Sequence, residues 1–414
     1  MTPAPGAPGT PGFPGFPGTP GTPEVSGKKV YVTGTHRARL PTETWDTIRP
    51  LLPRFGISRV ADVTGLDVIG LPVAVAFRPL SRTLAVSQGK GHDLLLARIS
   101  AAMEAIELWH AGYACPPAVL RGHPAAGLGL PYPLRALDHH SGSLVGDHTP
   151  LDWIEARGML SGAAVPVPAD AVRLAFPAED AWSVRGLRPV SNGLASGNTR
   201  DEAALHALYE AVERDALSTL TEEPDDGRIS VLPGTVDDPV CGPLIERMLS
   251  RGVQVDLASV PNRWGLPCFV AFVWSEDFPV LCGGSGAHSS PGVALSRAIT
   301  EAAQSRLTAI SGSRDDLAPV YAHVLRGAPG RPLPDPTAIP YAELPAPGPA
   351  YPHFDDLGAE VTWAAGRCLE VTGNEPLLVD LSTRDEFAVV KVVAPGVRNS
   401  ERHVIPRPRY GRPG

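Results

Sequence analysis

The stretch SNGLASGNTRDEAALHALYEAVERDA, residues 191–216, decides the reading of this chain. From about Arg200 to Leu220 its apolar residues cover most of a helix's circumference. Yet His206, Glu210 and Glu213 form a polar stripe along it. Offsets of four and three residues bring side chains round about one turn, so the three stack on one face. A helix apolar almost all round is buried. Buried carboxylates without partners are protonated or strongly destabilising.

Two further segments repeat the pattern. Asp93 to Ala111 reads as a helix with the stripe Ser100, Glu104, Glu107, and Leu94, Leu96, Ile99, Met103, Ile106 and Trp109 fill the other directions. Pro291 to Ile310 carries Arg297, Glu301 and Gln304. The carboxylates Glu104, Glu107, Glu210, Glu213 and Glu301 on three such faces call for cations. Mg2+ answers economically, because it takes oxygen ligands and shares its shell with phosphates.

Each helix follows a run of small residues: Ser87-Gln88-Gly89-Lys90-Gly91, then Ser191 to Asn198, then Gly283 to His288. We read these as loops feeding helix N-termini, whose free N–H groups and positive dipole end suit anions. None is a Walker A loop and none is GxGxxG. Gly283-Gly284-Ser285-Gly286-Ala287 lacks the last glycine of a nucleophile elbow, which sets a serine hydrolase aside.

Outward from these blocks, strands are expected at Val60–Val63, Pro72–Phe77, Leu377–Leu381 and Ala388–Val393, and a helix near Pro243–Arg251. Cys115 to Pro189 looks less regular. Helices and strands interleave without a steady βαβ rhythm, so the expected class is α+β, with mixed sheets packed against buried helices. One catalytic domain is expected over residues 28–405, with a Pro-rich surface loop at about 326–352. Residues 1–27 read as a Gly/Pro-rich tail, with glycine at every third position from Gly6 to Gly21, and 406–414 as a basic, Pro-containing tail. A trimerising collagen-like segment is the sharper alternative for the first tail.

The 414 residues are 43% hydrophobic and 19% charged with a net charge of -8, an ordinary balance for a soluble enzyme. No basic run supplies a nucleic-acid footprint. No apolar run reaches membrane-spanning length. The five cysteines have neither metal-ligand spacing nor an even count, which points to a reducing, cytoplasmic setting. His139, His140 and His148 lie in a Gly- and Ser-rich stretch and read as solvated. Trp153, Trp182 and Trp264 read as core or interface residues.

The blocks SQGKG…SAAMEAIE, SNGLASGNTRDEAALHALYEAVERDA and GAHSSPGVALSRAITEAAQSRL resemble the three signature blocks of the YcaO family, as do DVTGLDVIGLPVAVAFRP and VVKVVAPG. The resemblance runs from about Val30 to Val397. It implies an enzyme that uses ATP and Mg2+ to activate a peptide backbone amide. A nucleophile adds to the carbonyl, the oxyanion takes the γ-phosphoryl group, and loss of phosphate leaves an azoline, amidine or thioamide. By matching motif, Glu104, Glu107, Glu210, Glu213 and Glu301 resemble the family's magnesium ligands. Asn198, Glu202, Arg214 and Arg297 resemble its nucleotide contacts, and Gln304 completes the third motif. Glu210, Glu213 and Arg214 would carry the catalysis. Lys90 and Arg37 are our own candidates for phosphate or substrate contacts.

The chain departs from the family pattern at two places. Leu108 stands where an arginine is common, and the C-terminus from Pro406 breaks off after Pro-x-Pro, which argues against azoline formation. MEAIELWHA and the lack of a fused recognition domain look more like thioamide-forming members that work beside a TfuA-type partner. Expected partners are a peptide or protein substrate, a TfuA-like or leader-binding protein, and a second copy in a homodimer. The rival reading is a non-catalytic nucleotide-binding subunit that presents substrate to another enzyme.

Overall fold

The computed structural model describes residues 27–174, 186–222, 227–314, 317, 331–346, 351–400 and 405. Residues 1–26, Trp182, parts of the expected 326–352 loop and the tail 406–414 lie outside the described residues.

In chain order the elements are β1 (Val30–Val32), β2 (Thr35–Arg37), α1 (Pro41–Ile48), β3 (Arg59–Asp62), β4 (Val73–Phe77), β5 (Val86–Lys90) and α2 (Leu94–Tyr113). Then come β6 (Leu120–His123), β7 (Leu151–Gly158), β8 (Ala164–Pro168), β9 (Leu194–Gly197) and α3 (Arg200–Glu222). The second half holds β10 (Ile229–Val231), α4 (Cys241–Ser250), β11 (Gln254–Ser259), β12 (Cys268–Trp274), β13 (Cys282–Ala287) and α5 (Pro291–Ser311). It closes with α6 (Leu357–Thr372), β14 (Leu377–Asp380) and β15 (Ala388–Val393).

The α+β class is as expected. The sheets run β3-β4-β5, β10-β11-β12-β13 and β6-β7-β14-β15-β9, with β8 paired to β7, beside a small β1-β2 hairpin. Where mixed sheets were expected, every pairing of named strands is antiparallel. The irregular stretch after Cys115 in fact supplies β6, β7 and β8, and the sequence reading passed over α1 and α6 altogether. Among the described residues no helix is long and apolar enough to cross a membrane.

One arrangement occurs three times. β5, β9 and β13 each close one end of their sheet, and each turns directly into a long helix, α2, α3 and α5. Each strand packs on its own helix. Each helix also touches the strand of the following unit: α2 meets β9, α3 meets β13, and α5 returns to β5. The three strand–helix units therefore lean on one another in a closed ring.

The expected anion-binding loops are these strands, which corrects the sequence reading. Their glycines serve close packing. A Cβ on Gly89 would lie 2.0 Å from the Ala101 nitrogen, and one on Gly284 would lie 2.2 Å from the Ala302 nitrogen. The facing helix surfaces are alanine: Ala97 and Ala101 on α2, Ala298 and Ala302 on α5, all fully buried. Small residues on both sides let strand and helix approach at backbone contact, so the neighbouring stripe is held at a fixed height. Much of the strand backbone pairs within the sheets, as in β5 with β4 from Val86 to Lys90, and that part is not offered to an anion.

Candidate nucleotide and cation site

The ring brings the polar stripes together. Glu107 of α2 accepts hydrogen bonds at Oε1 from the backbone N–H (2.8 Å) and the hydroxyl (2.5 Å) of Ser196 in β9. Glu213 of α3 accepts at Oε1 from the Ser285 hydroxyl of β13, at 2.6 Å. Gln304 of α5 donates to the Gln88 carbonyl of β5 at 3.4 Å, and Lys90 at the end of β5 donates to Glu301 Oε2 at 2.8 Å. Gln88, Ser196 and Ser285 each precede a packing glycine: Gly89, Gly197 and Gly286. The sequence reading gave these three no role. Their signal was the repeated position before a glycine, 16 and 19 residues ahead of the stripe in the first and third units.

The electrostatics are those of crowded acid groups. Burial pushes the Glu104 carboxyl up to about 7, against the pull of Lys90 and Arg314. Burial also takes Glu107 up to about 8, with repulsion from Glu104 and Glu210 adding to it while Ser196 opposes. Glu210 is raised by burial and by Glu213, against Arg214. Burial would raise Glu301 as well, but Lys90, Arg214 and Arg297 outweigh it and hold it below the usual value. The carboxylates on α2, α3 and α5 thus feel one another across the ring. Ser100, at the head of the first stripe, forms no hydrogen bond with them.

Arg214 lies 3.7 Å from Glu210 and 4.0 Å from Glu213. Burial disfavours its charge, but Glu213, Glu210 and Glu301 more than compensate and its acidity falls further. Its Nε is buried without a partner, and so is the Nε of Arg297. An unpaired buried donor is costly, and two cationic ones beside this acidic patch fit a phosphate chain. Among the described residues no three His, Cys, Asp or Glu side chains form a ready cation cage. The donor set therefore fits Mg2+ that shares its shell with phosphate, rather than a metal held by protein alone. The protein bonds on Glu107, Glu213 and Glu301 each fall on one carboxylate oxygen, which leaves the second for a cation.

The remaining candidates sit at the N-terminal end of α3. Asn198 donates to Glu202 (3.0 Å) and accepts from Thr44 (2.8 Å). Glu202 also accepts from the Ala38 N–H at 2.8 Å. Arg37, delivered by the β1-β2 hairpin, reaches His206 Nε2 at 2.6 Å and lies 3.6 Å from Glu202. Burial and the charges of Arg37 and Arg297 keep His206 well below its ordinary range, hence neutral. Lys90, expected on phosphate or substrate, is instead the partner of Glu301.

Other expectations resolve simply. Trp153 and Trp264 are buried in the core. His140 and His148 are exposed, while His139 bonds the Leu134 carbonyl at 3.0 Å. All five cysteines are free. The stretch after the site places Lys391, on β15, beside Glu210. Burial lowers this lysine to about 8, against the pull of Glu210 and Asp138.

The family model "YcaO cyclodehydratase, ATP-ad Mg2+-binding" matches residues 88–398, and its description contains the two cofactors expected from the sequence. Uncharacterized protein Rv1375 of Mycobacterium tuberculosis is 39% identical over 373 residues, covering 88% of this chain and 83% of the relative. An uncharacterized protein in the tfuA 3' region of Rhizobium leguminosarum bv. trifolii is 41% identical over 317 residues, covering 70% of this chain and 72% of the relative. The structure of YcaO from Methanopyrus kandleri bound with AMPPCP and Mg2+ has a TM-score of 0.67 at 24% identity, covering 89% of this chain and 95% of that one, and shows the same fold. With its family model spanning the three striped helices and β15, the chain belongs to the YcaO family.

Proposed function

We propose that this chain activates a backbone amide of a ribosomally made peptide or protein at the expense of ATP, and installs a thioamide with an external sulfur source. The observation that carries the reading is the meeting of five carboxylates from three helices beside two arginines whose Nε atoms lack partners. Bound Mg2+-ATP would supply the phosphoryl group that turns the amide oxygen into a leaving group. Glu104, Glu107, Glu210, Glu213 and Glu301 would hold the cations. Arg214 and Arg297 would orient the phosphates and offset their charge. Asn198, Glu202 and Arg37, at the N-terminal end of α3, would contact the rest of the nucleotide.

The thioamide is favoured over the azoline by the Rhizobium relative, whose place in a tfuA 3' region supports a TfuA-like partner. The test is ADP and phosphate release from wild type and Glu210→Gln, with and without a candidate peptide, sulfide and partner. Peptide-dependent release in wild type, at least about a hundredfold lower in the variant, is expected. Product mass separates exchange of oxygen for sulfur from loss of one water. Nucleotide binding without turnover under all these conditions would favour the non-catalytic presenting subunit instead.

A further inference from the structure

Lys391 sits in the middle of β15, in register with Val379 of β14 and Leu194 of β9. It lies two residues from both Val389 and Val393, on the same, core-facing side of the strand, and is only 2% exposed. An ammonium in such a place carries a desolvation cost that a neutral side chain would avoid. Its hydrogen bonds show what it holds. Nζ donates to the Val190 carbonyl at 2.6 Å and to the Asn192 carbonyl at 2.7 Å.

Those two carbonyls bracket a tight turn. The Leu194 N–H closes onto the Ser191 carbonyl at 2.7 Å, and the Val392 N–H binds the Gly193 carbonyl at 2.7 Å. Gly193 has φ +74, and a Cβ there would lie 2.4 Å from the Val392 carbonyl oxygen. The Gly193 N–H then points at Glu210 Oε2, 3.3 Å away. Lys391, Val190, Asn192 and Arg214 line one open pocket. The side-chain nitrogen of Asn192 is buried at its wall without a partner.

We propose that Lys391 is a positioning residue of the Glu210 end of the site, pinning the Val190–Gly193 turn that hands a backbone N–H to that carboxylate. The inference rests on the reading of Glu210 as a cation ligand. Two carbonyls occupy two of the three Lys391 ammonium protons. An ammonium can bridge both carbonyls at once, which a single neutral donor cannot. Arginine can span them with its fork, whereas methionine keeps the stem as far as Cε and has no donor.

The test compares full-length wild type with Lys391→Met, Lys391→Gln and Lys391→Arg. Hydrogen exchange at Gly193 and Leu194 is measured in the metal-free protein, and binding of Mg2+ with a non-hydrolysable ATP analogue by calorimetry. In Lys391→Met, exchange at these amides should quicken at least tenfold, and the Mg2+ concentration for half-saturation should rise several-fold. Lys391→Arg should restore both, and Lys391→Gln should fall between. Unchanged exchange at Gly193 in Lys391→Met overturns the pin. Quickened exchange with unaltered Mg2+ dependence overturns its bearing on Glu210. Should Lys391→Met fail to fold, Lys391→Gln against Lys391→Arg gives the same decision. A wild type that binds no Mg2+-nucleotide would sink the wider reading, yet the exchange measurement would still judge the pin.

Discussion

Glu213 and Ser285 are joined by a 2.6 Å hydrogen bond that ties the second long helix to the edge strand of the next sheet. Glu107 and Ser196 stand in the same relation one unit earlier, and Gln304 with Gln88 one unit later. Each joint takes a stripe residue from one unit and a residue before a packing glycine from the next. The acidic groups are therefore crowded by tertiary packing, and in the metal-free protein that crowding works against stability.

Glu107→Gln should stabilise the metal-free protein while abolishing its chemistry. The amide oxygen can still accept from both Ser196 donors, and the repulsion from Glu104 and Glu210 disappears. A gain of about 1 kcal/mol is expected, seen as a rise of a few degrees in Tm, with turnover reduced at least about a hundredfold. A fall in Tm would contradict the repulsion.

Stability should fall as pH rises between 6.5 and 8. Glu104 and Glu107 have native values near 7 and 8, above those of an unfolded glutamate. The native state thus binds more protons in this window, and the stability they contribute is lost as pH climbs through the native values. His36, His92, His110, His206 and His288 are depressed, so they work in the opposite sense at the low end of this range, near the ordinary histidine value, and fade above it. Lys391, lowered to about 8, acts above it. A loss of about 1–2 kcal/mol is expected in thermal or urea melts without metal, and Mg2+-nucleotide should flatten it. A rise in stability over this range would refute the assignment.

Gly89→Ala and Gly284→Ala should each destabilise the fold by at least about 2 kcal/mol, because the added methyl meets helix backbone at 2.0 and 2.2 Å. Gly146→Ala, with nothing within 4 Å, should be neutral or gain about 0.5 kcal/mol. Equal melts for Gly89→Ala and Gly146→Ala would mean that these strands do not lie against their helices.

Two arginines on α5 should separate binding from structure. Arg306 is fully buried, 3.1 Å from Asp67 and 3.2 Å from Asp277. Removing it as Arg306→Met should cost about 3 kcal/mol of stability with little change in nucleotide affinity of the folded protein. Among the described residues Arg297 has no such partner, and its charge adds to the burial that depresses Arg37. Arg297→Gln should leave Tm nearly unchanged and weaken nucleotide binding about tenfold to a hundredfold. Calorimetry and melts on both variants check the pair; the reverse pattern would reassign Arg297 to the scaffold.

The long helices were legible because their polar stripes interrupt otherwise apolar surfaces, as Glu104 and Glu107 do among Met103, Ile106 and Trp109. The strands before them were not. Runs such as Cys282–Ala287 hold mostly glycine and small residues and lack the β-branched bulk by which strands are read. What makes them strands is the approach of Ala298 and Ala302 from a helix further along the chain. Lys391 reads locally as one residue of a strand-like run, since nothing near it in sequence shows that its ammonium meets the Val190 and Asn192 carbonyls some two hundred positions earlier. His206 appeared in a stripe, but its partner Arg37 comes from a hairpin far upstream. Local pattern carries the acid groups; their counterparts come from pairing between distant segments.

The closed ring has a consequence for how the reaction centre comes into being. No unit completes its own polar stripe, since every one borrows a donor from its successor and the last borrows from the first. A chain severed between the second and third units would strand Glu213 without its hydroxyl and Glu301 without its lysine. Neither half would possess a weakened version of the centre; competence should appear only when both are mixed, all at once.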